Sequence, residues 1–390
     1  MTITIIPPSV NNHYGLLEQQ LALQELVRDF AQREIKPLAA EIDEKESYPS
    51  QTFKKMGELG LMGLPWPEEY GGGGADYLSY VIAIEEIAKV CGSTALSYAA
   101  HVSLGTAPIV LFGTPAQKQR WLPALCSGRS VGSWALTEPQ AGSDAACLNT
   151  VALRDGNEYI LSGVKQFITN PPFSEAVIVM AMTDRLKGNN GISSFIVPAS
   201  SEGFAIGKHE KKLGMRGSPT CEIILRNVRV PADQRLGEEN TGFKQAMKTL
   251  DGGRISIGAL ALGIAQGAFA EALAYANARS AFGRPIGKHQ AIAHMLAEMS
   301  TQIHGARLMV YHAARLKDAN LEHTLAGAQA KLFASEMAMK VTTDAVQVLG
   351  GYGYVRDFPV ERMMRDAKLC EIGEGTSQIQ RLVIARKIGL

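Results

Sequence analysis

Apolar positions along the chain change their spacing twice, and the two changes divide it into three parts. From Leu16 to about Leu125 they recur every three to four residues, the period of a helix buried on one face. Residues 17–35 run this way up to Pro37, and 52–61 and 77–90 follow as further helices. In the last of these, Leu78, Val81, Ile82 and Ile87 would form the inner face. Between about 131 and 231 the helical period gives way to short β-branched runs at 159–161, 176–182, 192–197 and 221–230, with Asp155-Gly156-Asn157 as a turn signal. From Gly242 the helical spacing returns over 242–278, 288–317, 324–348 and 376–387. Ile292, Met295, Leu296, Met299 and Ile303 mark one apolar stripe there, read as core. The expected architecture is an α+β multidomain chain: an N-terminal helical domain (1–130), a small middle β-barrel domain (131–235) and a C-terminal four-helix bundle (236–390).

Composition narrows the possibilities. Hydrophobic residues make up 46% and charged residues 20% of the 390, and 39 basic against 38 acidic residues give a net charge of +1. Broad nucleic-acid binding needs a basic surplus, so no nucleic-acid partner is expected and any anionic ligand must be held by local groups. The five scattered cysteines contain no C-x-x-C and the eight histidines no H-E-x-x-H, which argues for a reducing cytoplasm and against a metal. Residues 1–8 lack a basic n-region and a long apolar stretch, so no signal peptide is expected. Residues 255–276 approach the hydropathy of a membrane span but carry Gln266 and Glu271, and read as a buried bundle helix. The four glycines 71–74 have no preceding strand and no following G-K-[ST], so they read as a turn rather than a phosphate loop.

The candidate chemistry centres on Gly373-Glu374-Gly375-Thr376-Ser377-Gln378. A carboxylate between glycines, where the backbone can approach a ligand, can serve as a general base. The same residues also suit a turn followed by a helix capped by Thr376 or Ser377. Further motifs stand in order upstream: Trp134-Ala135-Leu136-Thr137-Glu138-Pro139-Gln140-Ala141-Gly142-Ser143-Asp144, Lys165-Gln166-Phe167-Ile168-Thr169-Asn170, Lys212-Leu213-Gly214-Met215-Arg216-Gly217-Ser218, Arg279-Ser280-Ala281-Phe282-Gly283-Arg284 and Gln347-Val348-Leu349-Gly350-Gly351. Together, over residues 17–386, they strongly resemble the acyl-CoA dehydrogenase family of flavoproteins.

That resemblance implies FAD as cofactor and α,β-dehydrogenation of an acyl-CoA thioester to the trans-2-enoyl-CoA, with Glu374 as catalytic base and an electron-transfer flavoprotein as acceptor. It places Trp134, Leu136, Thr137 and Ser143 along the flavin, with Ser143 also reaching the CoA moiety. Phe167 would lie against the ring and Thr169 would offer a hydroxyl at its edge. Arg279, Phe282 and Gln290 would meet the pyrophosphate and adenine side of a neighbouring subunit's cofactor, together with Gln347, Gly350 and Gly351, while Thr376 and Gln378 complete the cofactor contacts. Asp251, Arg254 and Gly375 would border the substrate. Cofactor contacts across subunits imply a homo-oligomer, usually a tetramer. One subgroup carries its base at the position of Gly253 instead, and that carboxylate is missing here. The sequence departs from the family pattern at Gln140, Ala278 and Pro171-Pro172. An acyl-CoA oxidase and a non-catalytic flavin-binding relative are the competing readings. The acyl group is expected to be short, straight or 2-methyl-branched, and fatty-acid and amino-acid breakdown both remain open as the pathway.

Overall fold

The computed structural model describes residues 14–390, and the reading of residues 1–8 as lacking a signal peptide falls outside them. The N-terminal part is helical, with α1 (Glu18–Phe30), α2 (Ala39–Lys45), α3 (Ser50–Glu58), α4 (Tyr77–Ala88), α5 (Gly92–Ala100), α6 (Ala107–Phe112) and α7 (Pro115–Cys126). All twelve residues of α4 are buried, not only the four of the expected inner face. A helix buried all round, with its carboxylates Glu85 and Glu86 paired to arginines, sits in the middle of a core, and α4 does pack against α1, α5 and the C-terminal helices. The π-helical segment His101–Thr106 joins α5 to α6 in one continuous apolar stretch. That stretch, 92–112, and residues 242–278 are long and apolar enough to cross a membrane, but 78% and 67% of their most apolar windows are buried inside the fold. Gly71 closes a turn, its N–H bonded to Glu68 O, and the glycines after it run back along the chain, with Gly73 N–H bonded to Gly63 O and Gly74 N–H to Trp66 O.

The middle part contains β1 (Ser133–Ala135), β2 (Val151–Asp155), β3 (Glu158–Thr169), β4 (Ala176–Met182), β5 (Ile192–Pro198), β6 (Phe204–His209), β7 (Thr220–Pro231) and β8 (Arg235–Leu236). They form one mixed sheet in the order β6-β7-β3-β2-β4-β5-β8, with β1 parallel to β4. The barrel expected for this part is not confirmed: among the described residues the path ends at β6 and at the two-residue β8, and no pairing joins those ends. The sheet has its own core, including Tyr159, Leu161, Val179, Phe195 and Ile223.

The C-terminal part comprises α8 (Gly242–Ala278), a hairpin of β9 (Ser280–Ala281) and β10 (Arg284–Pro285), α9 (Gln290–Asp318), α10 (Thr324–Leu349), α11 (Val360–Cys370) and α12 (Ser377–Lys387). Helix α11 is additional to the four stretches read from the spacing. Of the α9 stripe, Leu296, Met299 and Ile303 are buried, while Ile292 and Met295 pack at its partly exposed edge. Glu85 on α4 is buried and receives Arg307 (2.7 Å) and Tyr311 (2.8 Å) from α9, which ties the two helical parts together. The surrounding cations hold its carboxyl down to about 2 despite burial.

A third, small core decides where the site forms. Leu136, Met180, Met182 and Ile192 from the β part pack with Ala246 and Leu250 of α8. Leu136 thereby shares one apolar cluster with Leu250, the residue before Asp251-Gly252-Gly253-Arg254.

Candidate active site

Glu374 lies in the turn between α11 and α12, with left-handed backbone (φ 54°). A non-glycine residue in that region is strained and is retained where the surroundings over-determine it. The surroundings here are specific. Gly373 N–H bonds to Leu369 O (2.8 Å), Ser377 N–H to Glu371 O (2.9 Å), and the buried Gln380 Nε2 to Gly375 O (2.8 Å). Thr376 caps α12 by accepting from Ile379 N (3.2 Å), so the capping reading of this segment holds, and it leaves the Glu374 side chain free of the cap.

The Glu374 carboxylate points against α8. A Cβ added at Gly253 would overlap its Oε2, and Leu104 of the π-helical segment lies beside the same point. A side chain at 253 would therefore force the Glu374 carboxylate to shift. Oε2 is buried and has no hydrogen-bond partner among the described residues. Burial pushes the carboxyl up to about 7, although Lys331 and Arg254 pull in the other direction. Arg254 is 5% exposed and donates to Asp251 Oδ1 (2.6 Å), whose Oδ2 accepts from Thr324 (3.0 Å). Tyr77 of α4 donates to Gly252 O (2.9 Å), and burial keeps its phenol neutral. The substrate-side residues Asp251, Arg254 and Gly375 are therefore gathered around Glu374.

The second group forms where β1 runs on beside the end of β3. Gln166 N–H bonds to Thr137 O (2.9 Å), Lys165 Nζ to Leu136 O (3.1 Å), and Ser133 Oγ to Thr169 O (2.7 Å). These bonds set Leu136 and Thr137 beside Lys165 and Gln166, and Ser133 beside Thr169, so the chain neighbours Trp134 and Phe167 lie on the two adjoining segments. The register between β3 and β7 slips between Lys165 and Ile168, and within the slip Phe167 has φ 58° and is 62% exposed. A bulky residue with left-handed backbone and an uncovered ring is an outlier. It fits a flat aromatic cofactor packing on that ring.

Glu138 and Lys165 carry this loop, although neither stood among the candidate site residues. Lys165 is fully buried and bonds Glu138 Oε1 (2.8 Å), and the same carboxylate receives Thr150 N–H (3.0 Å), Asn149 N–H (2.6 Å) and Gln140 Nε2 (2.8 Å). The departure at Gln140 is thus absorbed as one more donor. Burial lowers the Lys165 ammonium to about 8, while Glu138 is held below its usual range by Lys165 and the amide donors against the burial penalty. Ser143 and Asp144, just beyond, are exposed. Breaking a buried pair from one side leaves an uncompensated charge. Glu138→Ala is therefore expected to cost about 3–5 kcal/mol in urea unfolding, with much of it recovered when Lys165→Met is added; an unchanged midpoint in the single variant would show that the pair does not hold the loop.

The third group stands apart from these two. Arg279 lies 5.8 Å from the centre of the Tyr352 ring, and Tyr352 packs on Phe358, so the β9–β10 hairpin meets the end of α10. Phe282 at the hairpin tip has φ 52° and is 97% exposed. Gln290, Gln347, Gly350 and Gly351 are likewise exposed, as is Gln378 on α12. No hydrogen bond or ring contact among the described residues links Arg279, Phe282, Gln290 or Gln347 to Glu374 or Phe167 within the protomer.

Comparison with known proteins agrees with this geometry. Models of the acyl-CoA dehydrogenase N-terminal, middle and C-terminal domains match residues 17–129, 133–228 and 240–389. The chain is 52% identical to the short-chain specific acyl-CoA dehydrogenase of Clostridium acetobutylicum over 96% of this chain and 99% of the relative. The butyryl-CoA dehydrogenase structure from Megasphaera elsdenii matches with TM-score 0.94 and 44% identity, covering 96% of this chain and 98% of that one. A chain solved in work on the electron transferring flavoprotein of Acidaminococcus fermentans matches with TM-score 0.95 and 47% identity, covering 96% and 98%. A buried, unpaired carboxylate facing a glycine, an uncovered aromatic on strained backbone and three matching domain models lead to one conclusion: the chain belongs to the acyl-CoA dehydrogenase family.

Proposed function

We propose that this protein is an FAD-dependent dehydrogenase of short acyl-CoA thioesters, with Glu374 as the base that removes the α proton. The single observation carrying the role of Glu374 is its buried Oε2, which has no hydrogen-bond partner among the described residues and lies against Gly253 on backbone strained into place. A carboxylate left unpaired inside the protein is costly unless something is to meet it there. FAD, when bound, supplies the acceptor for the electron pair and hydrogen leaving the β carbon. Trp134, Thr137, Phe167 and Thr169 would hold its ring, and Arg279, Phe282, Gln290, Gln347, Gly350 and Gly351 its distal half from a second protomer. The exposure of that last set in one protomer, above all of Phe282, supports a homo-oligomer. Arg254 holds Asp251 and faces Glu374, which keeps the proton acceptor beside a fixed positive charge.

The short acyl group rests on the relatives named short-chain specific and butyryl-CoA dehydrogenase, and an electron-transferring flavoprotein as acceptor on the match to a chain solved in work on such a flavoprotein. Assay of kcat/KM with butyryl-, octanoyl-, palmitoyl- and isovaleryl-CoA tests this reading. Butyryl-CoA is expected to be preferred; a preference for palmitoyl-CoA would overturn the short-chain assignment. Peroxide formed in step with aerobic turnover would favour the oxidase reading.

The pH dependence follows from burial of the base. Glu374 acts as the carboxylate, and its carboxyl is pushed up to about 7. Below that pH the base is protonated and inactive, so kcat/KM is expected to rise with pH through about 7 and then level. A rate already at its plateau at pH 5 would contradict the assignment.

A further inference from the structure

A buried cation stands behind the Glu374 turn. Lys331, on α10, is fully buried, and its Nζ donates a hydrogen bond to Gly375 O (2.7 Å). Among the described residues it forms no ion pair with a carboxylate, whereas buried ammonium groups ordinarily have one. Such a group is retained at a cost, which asks for a use.

The charged and titratable groups around Glu374 narrow what that use is. Helix α8 contributes Arg254, already paired with Asp251. Helix α4 contributes the neutral Tyr77. Cys370, at the end of α11, is a thiol pushed up to about 12 by burial, and Glu371 is paired with Lys368. Helix α9 contributes Lys317, whose Nζ lies over the Tyr77 ring (4.4 Å) beside Gly252. Of the two cations that act on Glu374 itself, Lys331 and Arg254, only Lys331 has no carboxylate partner among the described residues. Burial lowers its ammonium to about 8, with Cys370 and Glu374 acting to hold it up. Gln380 also bonds Gly375 O, so the turn keeps one anchor without the lysine.

We infer that Lys331 is a positioning residue for the reaction: its ammonium fastens the Gly375 carbonyl behind the strained Glu374 and favours the ionised form of that carboxylate. This rests on Glu374 being the base. The two roles separate in variants. Lys331→Gln retains a donor toward Gly375 O but removes the charge; Lys331→Met removes both. An opposite charge favours ionisation, so its loss raises the Glu374 carboxyl. The acid limb of the kcat/KM–pH profile with butyryl-CoA is expected to move upward by about one unit or more in both variants. The kcat at the plateau should fall further in Lys331→Met than in Lys331→Gln.

The carboxyl stretch of Glu374, identified in infrared difference spectra by its loss in Glu374→Gln, is expected to titrate at correspondingly higher pH in Lys331→Gln. A limb and an infrared titration in Lys331→Gln that superimpose on the parent would overturn the inference. Failure of the underlying reading looks different, because Glu374→Gln would then turn over normally.

Discussion

Glu374→Gln is expected to bind FAD and fold, yet to lose flavin reduction by acyl-CoA. The change keeps the side chain's shape and removes only its capacity to take a proton. A positioned general base contributes about 10²–10⁴-fold, so the rate of flavin bleaching on rapid mixing should fall by at least that factor. Oε2 has no partner among the described residues, so an amide there would leave an unmet donor in a buried place, at about 1–3 kcal/mol. That cost is too small to unfold a domain of ordinary stability, and flavin content with thermal unfolding gives the control. A variant that bleaches at the parent rate would remove Glu374 from the chemistry. Position 253 is glycine, and the α8 carboxylate beside it, Asp251, is already held by Arg254 and Thr324.

Gly253→Ala is expected to have the next largest effect, and in opposite directions on stability and activity. Within a helix interior, alanine is favoured over glycine by about 0.5–1 kcal/mol. At this point of α8, however, the added methyl would meet the Glu374 carboxylate and the Leu104 side chain. The carboxylate must move, and a displacement of about 1 Å in a reacting group can cost about 10²-fold. The expected outcome is a kcat/KM lower by about that factor in a protein that melts close to the parent temperature. Full activity would mean that Glu374 does not depend on the surface of α8 for its aim. The same geometry means that a side chain at 253 cannot coexist with Glu374 in its present aim.

What was legible in the sequence follows from how local each signal is. Strand β4 and helix α8 could be read to their ends because β-branched runs and apolar periodicity are local properties. The two-residue β8 and three-residue β1 are too short to show a period, and they exist only through partners elsewhere on the sheet. Helix α11 carries Arg362, Arg365 and Asp366 on faces that the fold buries or pairs, with Arg365 bonded to Asp43 of α2 (2.6 Å), so its charges hid its inner face. A closed barrel was expected from strand content alone, but closure depends on the pairing of end strands, which composition does not encode.

The site divides in the same way. Glu374 announced itself through its flanking glycines, and Phe167 through its motif. Their left-handed backbones and the overlap at Gly253 are three-dimensional facts. Glu138 was visible inside a quoted motif, but its partner Lys165 lies 27 residues away and its importance appears only when both are buried together. Lys331 gave no local signal: it sits in an ordinary helical run 44 residues from the carbonyl it holds.

The most direct test of the central claim is an anaerobic titration of the FAD-loaded protein with butyryl-CoA, followed by the visible absorbance of the flavin. Loss of the oxidised flavin band in proportion to added thioester, with crotonyl-CoA as product, is the predicted result. A protein that takes up FAD and remains yellow through an excess of butyryl-CoA and of every other acyl-CoA tried would contradict it.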